Sequence, residues 1–199
     1  MKLRIISVKS KDKRASLLQL KALSTEDNKE YQYIVSEGTY REIGCPLSGE
    51  IIDGEALEQI IREGGERDAL KRALSILSYA DNNKKNLARK LYLAGFNKSE
   101  VEYALRECIA HGYIDERRQL ERLIISLHEK LIGPSKIYAR LLSKGYSGAD
   151  ISAVMSRLAS DGELDFSESK RRLLEKFRPE GHLEKQKLLY KYGYKNEND

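Results

Sequence analysis

Asn86-Leu87-Ala88-Arg89-Lys90-Leu91-Tyr92-Leu93-Ala94-Gly95-Phe96 stands in register, at an offset of 50 residues, with Lys136-Ile137-Tyr138-Ala139-Arg140-Leu141-Leu142-Ser143-Lys144-Gly145-Tyr146. An aliphatic residue, a basic residue, a leucine and a glycine–aromatic pair coincide. The same offset sets Leu70 on Leu120, Leu74 on Ile124 and Leu77 on Leu127, then Val101 on Ile151, Leu105 on Met155, Gly112 on Gly162 and Asp115 on Asp165. A shorter third copy follows at an offset of 48, where Leu189, Gly193 and Tyr194 match Leu141, Gly145 and Tyr146. Ungapped self-similarity at such a period is the mark of a repeat architecture.

Each complete copy reads as three helices, in the first roughly 67–79, 84–94 and 100–111. Asn83 and Gly133 occupy equivalent N-cap positions, and Pro134 takes the first helical position, where a missing N–H loses nothing. Gly95 and Gly145 stop the second helices where a left-handed residue is wanted. Ser99-Glu100-Val101-Glu102 reads as a capping box, and Ser147-Gly148-Ala149-Asp150 resembles one. The third helices end at Gly112 and Gly162. Phe96, Tyr113, Tyr146 and Tyr194, each beside a repeat glycine, read as packing anchors. A three-helix unit of this size buries its apolar face poorly alone, which predicts stacking into an elongated array.

The chain before the repeats has a different pattern. Leu3–Val8, Ser16–Ala22 and Tyr31–Val35 are short, alternating or apolar runs separated by the polar stretches 9–13 and 24–30, as strands and turns are. Residues 53–62 look helical, with Leu57, Ile60 and Ile61 on one stripe and a stop at Gly64-Gly65. The expected fold is therefore mainly α, with tandem helix-turn-helix-like repeats after a small β-rich segment. It divides as 1–66, 67–115, 116–165 and a shortened third repeat, 166–199.

Composition narrows the function. The chain has 199 residues, 40% hydrophobic and 34% charged, and its mean hydropathy of −0.59 is low for a globular protein. No apolar run approaches the ~20 residues needed to span a bilayer. Lys9, Lys11 and Lys13 interrupt the start before a signal-peptide core could form. Two cysteines, Cys45 and Cys108, are too few for a disulfide framework and suit a reducing compartment. The expectation is a cytoplasmic protein with no membrane partner.

Catalytic patterns are missing. His111, His128 and His182 have no metal-ligand spacing, no Cys-x-x-Cys occurs, and neither a Walker nor a dinucleotide fingerprint is present. Gly145-Tyr146-Ser147-Gly148-Ala149 has Ala149 where a nucleophile elbow needs glycine. The reading is a non-enzyme with no metal or cofactor.

Charge gives the positive signal. The net charge is +5; residues 1–66 hold 10 Lys/Arg against 12 Asp/Glu, and the remainder 26 against 19. A basic repeat region suggests an anionic partner, most often nucleic acid. Lys136, Arg140 and Lys144 follow one another at i, i+4, i+8, and Lys84, Lys85, Arg89 and Lys90 crowd the equivalent helix. Arg117, Arg118 and Arg122, then Lys170, Arg171 and Arg172, open the next repeats. A helix-turn-helix reader of base edges fits less well. Its recognition helix would begin with Glu100 and Glu102, or with Asp150, facing a phosphate-rich groove.

Leu87-x-x-x-Leu91-x-x-x-Gly95-Phe96, then Gly112-Tyr113-Ile114-Asp115-Glu116, then Gly133-Pro134-x-x-Ile137-x-x-x-Leu141-x-x-x-Gly145-Tyr146 resembles the RecX family, bacterial regulators of the RecA recombinase. The resemblance covers roughly residues 67–194. It implies a curved, elongated array of three-helix repeats. It also implies binding to a RecA–single-stranded-DNA filament, with modulation, usually inhibition, of ATPase, strand-exchange and co-protease activity. Non-specific duplex DNA is a further partner it allows. Two departures stand out: Gln119 and Leu120 replace an aromatic and a small residue, which predicts altered packing between repeats. The third repeat also ends at Asp199 without its last helix. Beside this reading stand a helix-turn-helix-like DNA-binding protein acting without a recombinase and a structural helical-repeat adaptor.

Overall fold

The computed structural model describes residues 1–11 and 17–194. Ser16 and the end of the polar stretch after Lys11 lie outside the described residues, as does the chain after Tyr194.

Four antiparallel strands, β1 (Lys2–Ser10), β2 (Leu17–Ser24), β3 (Glu30–Ser36) and β4 (Ile51–Asp53), form a sheet in the order β3-β2-β1-β4. β4 is a strand of three residues, too short to show alternation in the sequence. Alternation decides which face is buried: Leu3, Ile5, Leu20 and Ala22 point inward onto Leu57, while Arg4 and Ile6 point out. A bulge between Ile5 and Ser7 resets the register on β1. The short α1 (Glu37–Glu42) follows β3, capped by the Ser36 hydroxyl, which accepts from the Thr39 amide.

The helix opening at Asp53 does not stop at the paired glycines. α2 runs unbroken from Gly54 to Tyr79. Gly64 and Gly65 sit inside it because other elements press against it there. A Cβ on Gly64 would fall inside the Thr39 side chain, and one on Gly65 would meet the Glu100 carboxylate. Close approach, and not termination, is the reason for Gly64.

The remaining helices are α3 (Lys84–Leu93), α4 (Lys98–Ala110), α5 (Glu116–Glu129), α6 (Pro134–Ser143), α7 (Gly148–Ser160), α8 (Phe166–Phe177) and α9 (Gly181–Tyr192). The fold is mainly helical, as expected, with a small N-terminal sheet. Two compact units divide it. One holds residues 1–80 and 87–113; the other holds 81–86 and the chain from Ile114 onward.

In the first unit, the sheet packs on the start of α2, and α4 packs along the rest of that helix. Its core includes Ala69, Ala73, Leu87, Leu91, Val101, Ala104 and Cys108. Cys108 is fully buried, and burial pushes its thiol pKa up, as a core residue requires. In the second unit, Leu120, Ile124, Ile137, Leu141, Ile151, Val154 and Leu158 form the centre of one cluster, and Leu131, Leu173, Leu189 and Tyr194 form another. Position by position, Leu87, Leu91, Val101 and Cys108 are buried where Ile137, Leu141, Ile151 and Leu158 are.

Two sequence expectations need correction. The α4 capping box is made by Asn97 and Glu100, two residues before the expected Ser99 and Glu102. Asn97 is the 50-residue equivalent of Ser147, which caps α7 through the Asp150 amide. Tyr113 is 55% exposed and stacks on His111, whereas Tyr146 and Tyr194 are buried anchors and Phe96 is half-buried.

Alanine at an interior helical glycine ordinarily stabilises by about 0.5–1 kcal/mol. The Thr39 contact reverses that sign at Gly64: Gly64→Ala lowers stability by about 1–3 kcal/mol, the usual overpacking range. Thermal melting tests this, and adding Thr39→Ala restores most of the loss. An unchanged or raised melting temperature in Gly64→Ala refutes the close approach.

Candidate nucleic-acid interface

The last carbonyls of a helix and the first amides of another are orphan groups of opposite polarity. In the second unit these ends meet twice, at equivalent places. Asn83 and Asn86 both donate side-chain amides to the Lys144 carbonyl beyond the end of α6, at 2.9 and 3.0 Å. Asn83 also accepts from the Asn86 amide at 2.8 Å. Fifty residues on, the Gly133 amide donates to the Tyr192 carbonyl at the end of α9, at 2.7 Å. The Ser135 amide reaches Gly193, and Lys136 Nζ reaches the Lys191 carbonyl at 2.6 Å. A Cβ on Gly133 would lie 2.5 Å from the Gly193 oxygen, so that joint uses backbone where the first uses an asparagine side chain.

A buried polar link lies beside the first joint. The Tyr146 hydroxyl donates to Gln119 Oε1 at 3.1 Å, and Gln119 Nε2 donates to the Asn82 carbonyl at 3.4 Å. Gln119, one of the two departures from the family pattern, therefore joins α5 to the glycine–aromatic turn after α6 and to the turn before α3. Its 50-residue equivalent is Ser169, beside Tyr194. Ser169 instead contacts His128 Nε2 at 2.8 Å, with the His128 ring edge-on to Phe166. Burial pushes the phenol pKa of both Tyr146 and Tyr194 up from the usual value.

The basic residues separate on this frame into free and engaged groups. Arg140 and Lys144 are exposed along α6, with no ion-pair partner among the described residues. Lys84 and Lys85 are exposed at the start of α3, and the Lys85 stem runs close to Gly145. Beside the first joint, a cleft of about 350 Å³ is lined by Asn83, Asn86, Gln119, Lys144 and Tyr146 together with the Asp81–Arg122 pair. Lys136, the first member of the expected basic line, is half-buried with its amine held by the α9 carbonyl.

Other candidates are paired with acids. Arg122 meets Asp81 at 2.7 Å, Arg117 meets Glu121 at 3.3 Å, and Arg171 bridges Glu168 and Glu175. The Glu168 carboxylate holds the Arg171 pKa up, and Arg171 holds that of Glu168 down. Arg118 and Arg172 are exposed; Lys170 is half-buried and engaged. In the first unit, Arg89 is exposed on α3, and Lys90 is half-buried and engaged.

Sequence reasoning missed Asn83 and Asn86 as joint donors, Gln119 as a connector and Lys191 at the second joint. The aligned repeats carried a signal for the joints, since 83 and 86 fall on 133 and 136. Among the described residues, no group of three His, Cys, Asp or Glu could hold a metal ion, and no helix is long and apolar enough to cross a membrane.

The comparisons agree with this frame. The chain is 31% identical over 109 residues to the Regulatory protein RecX of Salmonella paratyphi C (strain RKS4594), covering 50% of this chain and 63% of that one. It is 38% identical over 88 residues to the Regulatory protein RecX of Cronobacter sakazakii (strain ATCC BAA-894), covering 39% and 53%. In fold, it matches a crystal structure of regulatory protein RecX with a TM-score of 0.58, over 97% of this chain and 95% of that one, at 18% identity. The chain has RecX relatives and the RecX fold. RecX from Lactobacillus salivarius gives a TM-score of 0.55 at 16% identity, covering 67% of this chain and 90% of that one. The family resemblance read from the glycine–aromatic and Gly-Pro motifs is borne out. In sequence, the chain spans 53–63% of the length of these curated RecX relatives. No family model matches the chain.

Two measurements test the joint. Gln119→Leu strands a buried Tyr146 hydroxyl and lowers stability by about 1–3 kcal/mol. Adding Tyr146→Phe recovers part of this in a double-mutant cycle; simple additivity refutes the link. Because the folded chain holds these phenols protonated above 10.0, the unfolded chain binds fewer protons there. Stability therefore falls as pH rises past that value. The urea midpoint tracks the fall, and Tyr146→Phe makes it shallower.

Proposed function

We propose that this chain regulates the RecA recombinase by binding the RecA–single-stranded-DNA filament and restraining its ATPase, strand-exchange and co-protease activities. The observation that carries the reading is the likeness to proteins named Regulatory protein RecX, in sequence and, over 97% of the chain, in fold. The mechanism is binding and not turnover. Helix cores hold basic side chains at repeat intervals, and a rigid body engaging neighbouring filament subunits opposes the movements that ATP turnover requires.

The free basic residues are the proposed contacts with filament acids or DNA phosphates. These are Arg140 and Lys144 on α6, Lys84 and Lys85 at the joint, and Arg89, Arg118 and Arg172 elsewhere. Arg117, Arg122 and Arg171 are already paired with acids and Lys136 with a carbonyl, so they contribute less.

The paired carboxylates at the starts of α4 and α7 weigh against base reading by a helix-turn-helix. The Glu100 carboxylate accepts from the Asn97 amide at 2.8 Å, and Asp150 lies 2.5 Å from the Ser147 hydroxyl. Both acids cap the helix that would have to enter the groove.

The deciding experiment titrates this protein into RecA hydrolysing ATP on single-stranded DNA. Inhibition below equimolar amounts is expected, weakening with salt; where phosphates are the contacts, the log–log binding slope is about −0.7 per phosphate. Arg140→Ala with Lys144→Ala reduces filament binding while the melting temperature holds. No inhibition at several-fold excess of folded protein refutes the reading.

A further inference from the structure

A groove of about 470 Å³ runs between α2 and α3 in the first unit. Arg72, Ile76 and Tyr79 line it from α2 at i, i+4 and i+7, the spacing of one helix face. Lys90, Leu93 and Ala94 line it from the end of α3 at i, i+3 and i+4. Two of these side chains stand far out in water: Tyr79 is 89% exposed and Leu93 77%. Among the described residues, no other ring stacks on Tyr79 and no cation lies over it.

The repeat register shows that packing does not require them. At the 50-residue offset, Tyr79 answers to Glu129 and Leu93 to Ser143, both polar and exposed. The cations of the groove are kept, since Arg72 answers to Arg122 and Lys90 to Arg140. The first repeat thus adds an aromatic and an aliphatic side chain to a pair of cations that the second repeat also carries.

Charge narrows what the groove takes. No carboxylate lines it, whereas Asp81 lines the cleft at the first joint and Glu129 and Glu175 line the one beside Arg172. Arg72 is exposed, with no ion-pair partner among the described residues. An anion is therefore favoured here, with no acid in the groove to oppose it. A water-exposed ring beside aliphatic side chains suits a flat unpaired base, and the cations suit the phosphate that accompanies it. An acidic peptide would meet the cations but leaves the Tyr79 ring without a planar partner.

We propose that the α2–α3 groove holds an unpaired nucleotide of single-stranded DNA, with Tyr79 stacking on the base and Arg72 meeting a phosphate. The proposal takes its ligand from the regulator reading above and adds a site that distinguishes single strands from duplex. Bases inside a duplex are out of reach without unstacking, so duplex DNA meets only the cations.

Fluorescence anisotropy tests it on the full chain, with a labelled oligothymidine, an abasic oligomer of the same length and a duplex. Tyr79→Ala should weaken oligothymidine binding ~5-fold or more, the lower end of one base–aromatic stack. Its affinity for the abasic oligomer and for the duplex should stay unchanged, and Tyr79→Phe should bind like the parent. Arg72→Ala should weaken the oligothymidine and the abasic oligomer alike and lower the log–log salt slope by about 0.7, that of one phosphate. Melting temperatures should hold, because both side chains are on the surface. Undiminished oligothymidine binding by folded Tyr79→Ala overturns the groove. An equal loss on the abasic oligomer, or a parent that binds both oligomers alike, overturns it as well. The regulator reading is decided apart from these, by the effect of the parent on RecA ATP hydrolysis. If the parent leaves hydrolysis untouched, that reading fails, while a base-dependent loss in Tyr79→Ala still establishes the groove.

Discussion

The joints between helix ends are the constraint on which the second unit depends. Each joint pairs donors at or just before the start of one helix with carbonyls at the end of the next repeat's second helix. The carbonyls, and at the second joint the backbone amides as well, would lack an intrahelical partner if the helices stood alone. Opposite dipole ends are brought together, so electrostatics and hydrogen bonding favour the same contact. At the first joint, asparagine side chains reach the Lys144 carbonyl; at the second, the Gly133 backbone makes the approach itself. The geometry is shared although the chemistry differs.

That contact explains how the charges are distributed. Lys136 is held by the Lys191 carbonyl on α9 and Arg122 by Asp81, whereas Arg117 pairs with Glu121 one turn along its own helix. The side chains of Arg140, on the same helix as Lys136, and of Lys144, just beyond its end, remain available to a partner. A basic cluster in a helical repeat is therefore two populations, and only the packed structure separates them. Exposed ion pairs of this kind contribute little individually, so their importance lies in which cations they remove from the surface.

The glycines carry two different meanings that look the same in one dimension. Gly145 and Gly193 follow helices at φ of 95° and 84°, a backbone that favours glycine, and both were readable as stops. Gly64 lies within a continuous helix because the buried Thr39 comes too near for a side chain, while Gly65 faces the movable carboxylate end of Glu100. No local pattern distinguishes a glycine that ends a helix from one that admits a neighbour distant in sequence. The misplaced cap at Ser99 has a different cause: aligning Asn97 with Ser147 would have found the Asn97–Glu100 box.

By itself, the sequence determined the repeat period, the second-helix cores and the glycine–aromatic turns, along with the resemblance to RecX. Periodic burial repeats wherever the side-chain pattern does, so Leu87 and Leu91 predict Ile137 and Leu141. Only the tertiary structure decided that α2 is one helix and that Gln119 bridges Tyr146 and Asn82. It also decided that Lys136 is engaged while Arg140 is free, and that α2 and α3 leave a groove beside Tyr79. Each of these depends on groups far apart along the chain meeting within a few ångströms. Hydrophobic period is local and survives in one dimension, whereas a hydrogen bond, an ion pair or a cavity exists only once two distant segments have packed.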